Sequence, residues 1–433
     1  MQMKKLLYGL LLAVFMPWFS VGCEKEDFAD EGDVRLTFSA DTLTFDTVFT
    51  TLGSTTLRLT ARNDSRDNLR LSTVTLAGGR NSRFRLNVDG DTSLVARDVE
   101  VLAGDSIFIF VQVNINPNDS TSPFLVEDAI VFSNGQRLPL TAYGRNAVYH
   151  VTPADSTWLR IGTETWNATL PHIVVGNVLV TENQTLTIDP GAEVYFANDA
   201  CLILDSTARL VARGTAAAPI LFTSLRHDGW YRFLPGQWGL IWFYNYSVGN
   251  VVEHAVIENG IGGLRCYPQS QVTVKNTVIR NMSDCAIVGQ GATVTGNNLL
   301  VYDCLTSFIA LMGGSYDFRH CTFADYWSYS ARKMESVVLS NCMNTVVNNQ
   351  VVTVGGDLLK ADFTDCIIWG TYQKEVLLSE LEGYAMNHNL AQNQSCIVKG
   401  GARSEDPLFS DPRNDDYTLQ EGSPATGLGY QWQ

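Results

Sequence analysis

The sequence predicts an all-β protein in two parts, a sandwich of short strands followed by a longer body of stacked β-coils. Three observations carry this. Through the first third, apolar residues alternate with polar ones, and turn residues interrupt them every few positions. Farther on, the apolar runs shrink to pieces such as Leu202-Ile203-Leu204, too short for independent hairpins with buried faces. Cysteines then recur at 266, 285, 304, 321, 342, 366 and 396, separated by 19, 19, 17, 21, 24 and 30 residues.

The N-terminal segment is a targeting signal. Lys4 and Lys5 precede an almost unbroken apolar run from Leu6 to Phe19, and Ser20-Val21-Gly22 leads to Cys23. Such a run fits a signal peptide, since spanning a bilayer takes about 20 apolar residues. Gly22 before Cys23 and the abrupt switch to polar sequence fit transfer of lipid to the thiol. The segment resembles the lipobox of bacterial lipoproteins, with Ser20 where that family usually carries Leu or Val. Glu24-Lys25-Glu26-Asp27 follows at once, a charged tether by composition. In register with Cys23, Lys25, Glu26 and Asp27 also resemble the export signal of surface lipoproteins of the Bacteroidota. That resemblance implies an outer-membrane protein held by lipid, such as palmitate, and exposed on the cell surface.

The formal charge is −15, and it becomes −17 once Lys4 and Lys5 leave with the signal. An acidic body of this kind disfavours nucleic acid and anionic lipid as partners.

From Asp33 onward the strands read one by one. Leu57, Leu59 and Ala61 alternate with Arg58, Thr60 and Arg62, giving one wet face, while Ile107 to Ile115 is apolar on both faces at its start and is expected to be central. Asn63-Asp64-Ser65, Gly78-Gly79, Asn116-Pro117-Asn118-Asp119 and Ser133-Asn134-Gly135 are turn clusters. Seven or so short strands at this spacing predict an immunoglobulin-like sandwich. Asn63, Phe84, Gly104-Asp105-Ser106, Pro117 and Tyr143-Gly144, in that order, resemble the modules related to the major sperm protein and spindle-protein families. The resemblance implies a spacer or docking role.

The coil region shows its repeat in rhyming segments. Val272 to Asn281 matches Val294 to Asp303, and Tyr316 to Phe323 matches Ala361 to Ile368 in another register. One small thiol per coil fits an inward-facing stack, and Asn276, Asn281, Asn297 and Asn298 suit the turns, because Asn tolerates left-handed backbone. Leu186 to Phe196, Gly214 to Thr223 and Gln237-Trp238-Gly239 resemble the opening coils of right-handed parallel β-helix proteins; Asp406 to Pro412, Tyr417 and Gly422 to Ala425 resemble their terminal segment. The expected organisation is therefore a signal at 1–22, an acidic tether at 23–32, an immunoglobulin-like sandwich at 33–148, a linker at 149–172 and a right-handed parallel β-helix at 173–433. Such β-helices include glycan-degrading enzymes, adhesins and non-catalytic surface proteins, so the fold leaves function open.

Chemistry is sparse in the sequence. The six histidines, at 150, 172, 227, 254, 320 and 388, have no paired spacing, and no Cys-x-x-Cys supports a metal; none is expected, nor any cofactor. Asp411, Asn414, Asp415 and Asp416 miss the spacing of a calcium loop and read as a polar turn. Stacked thiols aim their Cβ vectors poorly for bridging, so reduced, buried cysteines are expected from Cys266 onward. Glu253 with Glu258, or Asp362 with Asp365, would give a glycosidase its two acids, yet they also read as solvated turn residues. Two aromatic insertions stand out. Arg226 to Gly236 carries Trp230 and Tyr231, and Asp325 to Lys333 carries Trp327 and Tyr329 beside Arg332 and Lys333. Rigid amphipathic rings on loops suit sugar stacking or protein docking. Trp238 and Trp242 are expected in the core.

The sequence therefore points to a non-catalytic binding or scaffold subunit of an outer-membrane uptake, secretion or assembly complex, with a protein or glycan partner. The alternatives are a polysaccharide lyase or glycosidase, and a glycan or host adhesin. One acyl chain holds a membrane weakly and several hold it firmly. Cys23→Ala should therefore move the protein from the membrane to the soluble fraction or leave it unprocessed; firm membrane retention of that variant would remove the anchor from the account.

Overall fold

Alternating burial builds the first of two compact units, which divide between Arg145 and Asn146. The computed structural model describes residues 27–226 and 229–432; Cys23, Lys25 and Glu26 lie outside them, and Asp27 is exposed. In this unit, Phe28–Ala29, Asn68–Leu76, Phe124–Phe132, Arg137–Arg145 and Leu43–Phe49 follow one another in one sheet, with Val95–Val101 paired to Asn68–Leu76. Thr37–Phe38, Leu57–Arg62, Ser106–Val113 and Phe84–Val88 form the other. Leu59, Leu71, Phe84, Ile109, Val111 and Ile130 are fully buried in a shared core, so period-two patterning produces a two-sheet sandwich. Ser106–Val113 is indeed central, with a partner on each side, but its outer aromatics Phe108 and Phe110 are exposed rather than buried. Arg58 lies over the Phe108 ring at 5.1 Å.

The second unit is a parallel β-helix. Its main sheet links 23 strands, and along most of its length each strand pairs in parallel with the third strand after it, so three faces wind around one core. The first face runs from Val148–Val151 through His172–Val175, Glu193–Phe196, Ile220–Ser224 and Ala255–Glu258, and later through Thr322–Asp325 and Ile367–Gly370. Residues 149–172, expected as a linker, instead supply the opening coil. Val148–Val151, Leu159–Ile161 and Glu164–Trp166 each pair with the next coil, because their inward side chains complete the end of the core. His150 and His172 meet there at 3.0 Å and stack on Trp166. Burial, and for His150 the neighbouring ring, keeps both neutral; His150 falls to about 4.

The central coils repeat every 22 residues. Ile257, Ile279, Val301 and Phe323 stack inward on the first face, and Val272, Val294 and Tyr316 on the third. Where a large ring arrives, the coil beneath gives room. Gly296 lies under Phe318, and a Cβ there would sit 2.4 Å from that ring. The cysteines do not mark one column. Cys321, Cys366 and Cys396 share a stack one position before Thr322, Ile367 and Ile397, whereas Cys266 lies on another face against Gly289. All eight described cysteines are unbridged, and six of the seven from Cys266 onward are buried. Cys342 is only half-buried, because it opens an outward hairpin instead of lining the core.

Asparagine works at the corners as expected, except at Asn297. His254, Asn276, Asn298 and His320 occupy one corner and Asn259, Asn281 and Asp303 another, all with φ between 46° and 66°. Asn298 donates to Asn276 Oδ1 at 2.9 Å and holds the Gln431 backbone through two further bonds. Asn297 points outward from a strand and is exposed. Asn298→Ala should thus lower unfolding free energy by about 1–3 kcal/mol in denaturant titration, from buried partners left unpaired. Asn297→Ala should stay within about 0.5 kcal/mol of the parent; equal losses for both would contradict the corner assignment.

Candidate active site

In-register stacking places Thr223, Glu258, Arg280, Tyr302 and Ala324 in one outward column on the first face. Each coil advances about 4.8 Å, so these side chains meet although 22 residues separate successive central ones. Arg280 grips Glu258 Oε2 through Nε at 2.8 Å and Nη2 at 2.6 Å, and donates to the Tyr302 hydroxyl at 2.7 Å. Burial works against the Arg280 charge, but Tyr302 and Glu258 outweigh it, and its pKa rises. Thr223 donates to the other Glu258 oxygen at 2.9 Å, which fixes that carboxylate on both sides.

The adjoining corner supplies the acid. Asn259 and Asn281 are followed one coil later by Asp303, so the amide ladder gives way to a carboxyl. Asp415 is a charged neighbour of Asp303, and Tyr417 donates to Asp303 Oδ1 at 3.2 Å. Burial first, then the Asp415 charge, pushes Asp303 up to about 7. Near neutrality Asp303 therefore holds its proton much of the time. Arg280 Nη1 stands 3.7 Å from Asp415, tying the pair to the Glu258 column. Burial also raises Tyr302 to about 12 and raises Tyr417.

The C-terminal strands Phe409–Asp411 and Asp416–Leu419 bring Asp415 and Tyr417 here, packed over Leu300, Tyr302 and Trp369 by an apolar cluster. The segment expected as a single polar turn divides its side chains among different partners. Asp411 binds Asn414 at 2.7 Å and Asp416 binds Thr418, while Asp415 alone turns toward Arg280. No group of three metal-ligating side chains occurs among the described residues.

The four acids proposed from sequence separate on folding. Glu258 joins the site; Glu253 lies beside Lys275 in the third-face register; Asp362 is 3.5 Å from Lys360; Asp365 is 3.8 Å from His320. Both aromatic insertions leave the helix at the same corner, between the first and second faces. Asn259 and Asn281 donate to the carbonyls of Arg232 and Phe233, holding the first loop, and the Tyr329 hydroxyl of the second loop donates to Phe233 as well. Trp230 is 68% exposed and Tyr329 48%, but Tyr231 is half-buried under Arg226 and Trp327 is only 8% exposed. Trp327 donates to Ser330 Oγ and closes its own loop, so it is not available for docking. Arg332 is likewise buried, in a fork with Glu375 at 2.8 Å on both oxygens and 3.6 Å from Asp325. Burial drives Asp325 up to about 7 even beside that guanidinium. Trp238 is fully buried as expected, whereas Trp242 is half-buried on the outer side against Tyr244 and Tyr267.

No family model and no curated protein matches the chain. Among solved structures, it is similar to the catalytic domain of a GH87 alpha-1,3-glucanase variant in complex with nigerose, at 10% identity, 78% of this chain, 80% of that chain and a TM-score of 0.19. It is also similar to the catalytic unit of a thermostable GH87 alpha-1,3-glucanase from Streptomyces thermodiastaticus strain HF3-3, at 11% identity, 74% and 75% coverage and a TM-score of 0.18. At these TM-scores the likeness assigns no activity to this chain. The expectation of a non-catalytic binding or scaffold subunit is corrected here. It rests on finding no acid pair above background in the sequence, and the fold places Asp303 beside Asp415, with Arg280 joining Asp415 to Glu258.

The two insertions should separate in a stability test. Glu375→Ala strands the buried Arg332 charge and should cost about 3–5 kcal/mol. Trp230→Ala removes an exposed ring and should change stability by less than about 0.5 kcal/mol. Denaturant titration showing the reverse order would contradict the loop assignments.

Proposed function

We propose that the chain is a lipid-anchored, surface-exposed glycoside hydrolase that acts on a polysaccharide along the first face of its β-helix. We further assign the coil as right-handed, by the strong preference of parallel crossovers, and the leading sandwich as an immunoglobulin-like spacer. The observation that carries the activity is the cluster in which Arg280 joins Glu258 at 2.6 Å to Asp415 at 3.7 Å, while Tyr417, two residues from Asp415, donates to Asp303.

In this mechanism Asp303 is the general acid. Burial, reinforced by Asp415, keeps it protonated near neutral pH, and its proton goes to the glycosidic oxygen as the bond to the anomeric carbon breaks. Glu258 takes a proton from the water that attacks that carbon. Two coil steps separate the backbones of Glu258 and Tyr302, the residue before Asp303, by roughly 10 Å, and the Arg280 side chain bridges that interval. Both groups reset by exchange with solvent. Arg280 and Thr223 orient Glu258, and Tyr417 orients Asp303. Exposed Trp230 and Tyr329 at the rim offer ring surfaces to sugar. These rings also support a glycan adhesin, which binds the same polymer and leaves it intact.

Reducing-sugar release from a panel of insoluble and soluble glucans, alpha-1,3-glucan included, tests the reading. Asp303→Asn and Glu258→Gln should each lower turnover by more than about a hundredfold. Because the acid must be protonated, activity should fall roughly tenfold per pH unit above about 7. Binding without any cleavage would favour the adhesin; cleavage untouched by either substitution would contradict the site.

A further inference from the structure

Between the second and third faces, the chain leaves the helix as a hairpin of Cys342–Val347 and Gln350–Gly355. These two strands form a sheet of their own, with no third strand on either edge among the described residues. Asn348 and Asn349, both at positive φ, make the two-residue turn that suits such a ribbon. Val346, Val347, Val351 and Val352 are all exposed, Val351 at 73%. From Cys342 to Gly356 the sequence has no charged residue, although the whole chain carries −15.

An isolated, uncharged, valine-rich ribbon with open edges is a template for strand addition, which proteins normally block with Lys, Pro or a covering element. None of those devices protects this one. We propose that the hairpin is a self-association surface, on which Gln350–Gly355 pairs antiparallel with the same strand of a second copy. The edge itself selects that occupant, because its alternating amides and carbonyls are satisfied by the same strand run antiparallel, and the absence of charge permits the approach. Two strongly acidic chains repel over most of their surface, and this neutral ribbon lets their backbones approach without opposing carboxylates. A two-fold pairing is self-complementary and closes at two copies, which blocks continued growth. With Val347 and Gln350 closing the turn, the Val351 and Thr353 amides point away from the first strand and toward the partner. Gln350–Gly355 is also the better exposed strand, with Gln350, Val351, Val352 and Thr353 all open. Insertion into lipid is disfavoured, because the leading end carries the Asn348, Asn349 and Gln350 amides.

Sedimentation of the full mature chain bearing Cys23→Ala tests the pairing, with hydrogen exchange read alongside it. A two-copy mass should appear as concentration rises, together with slowed exchange at Val351 and Thr353. Val351→Lys, which puts a charged, strand-blocking side chain on the pairing edge of each copy, should weaken association more than about tenfold. Val351→Thr, neutral and β-branched, should retain it. A single-copy mass at every concentration overturns the proposal, as does a dimer with unprotected hairpin amides or one that Val351→Lys leaves intact. Recruitment of the hairpin to vesicles of neutral lipid in place of self-association overturns it as well.

Discussion

Parallel stacking in register is the constraint on which the rest of the helical unit depends. Each coil must lay its backbone on the one below, so a residue's neighbours are those about one coil away in sequence. Inward positions become columns of Ile, Val and Phe, and outward positions become columns in which unlike polar groups are forced together. The Glu258–Arg280–Tyr302 row follows from that rule. Arg280 sits between a carboxylate and a phenol because they are its coil neighbours, and its fork satisfies both.

The same rule explains the corners. A chain that turns three times per coil needs left-handed backbone at fixed intervals, and Asn supplies it while bonding to its equivalents above and below. Replacing Asn by Asp at position 303 exchanges a neutral ladder for an acid inside a half-buried corner. The C-terminal strands then cover that acid and add Asp415. Burial and like charge both favour the protonated form, and they act here on one group. Stability and chemistry thus draw on the same packing.

Much of the architecture was legible in the sequence. Strict alternation marked the sandwich strands, and short rhyming runs marked the coils. The 22-residue period was also present, in Asn276 to Asn298 to His320 and in Asn259 to Asn281 to Asp303. The cysteines hid it, because Cys266, Cys285, Cys304 and Cys321 occupy different positions within their coils and drift in spacing. The opening coil was missed because Leu159–Ile161 and Glu164–Trp166 are three-residue strands whose pairing is entirely nonlocal. The site was least visible. Glu258 was singled out, but its bond to Arg280 spans 22 residues and the approach of Asp415 to Asp303 spans more than a hundred. Nor does loop composition distinguish exposed Trp230 from Trp327, whose indole turns back on its own loop.

The central claim is that the folded corner keeps Asp303 protonated near neutral pH. Selective carbon-13 labelling of aspartate carboxyls, with Asp303→Asn identifying the resonance, measures this directly by titration. The expected midpoint for Asp303 lies near 7 and falls toward the ordinary carboxylate range when Asp415 is replaced by Asn. An Asp303 midpoint near 4 in the intact chain would contradict it.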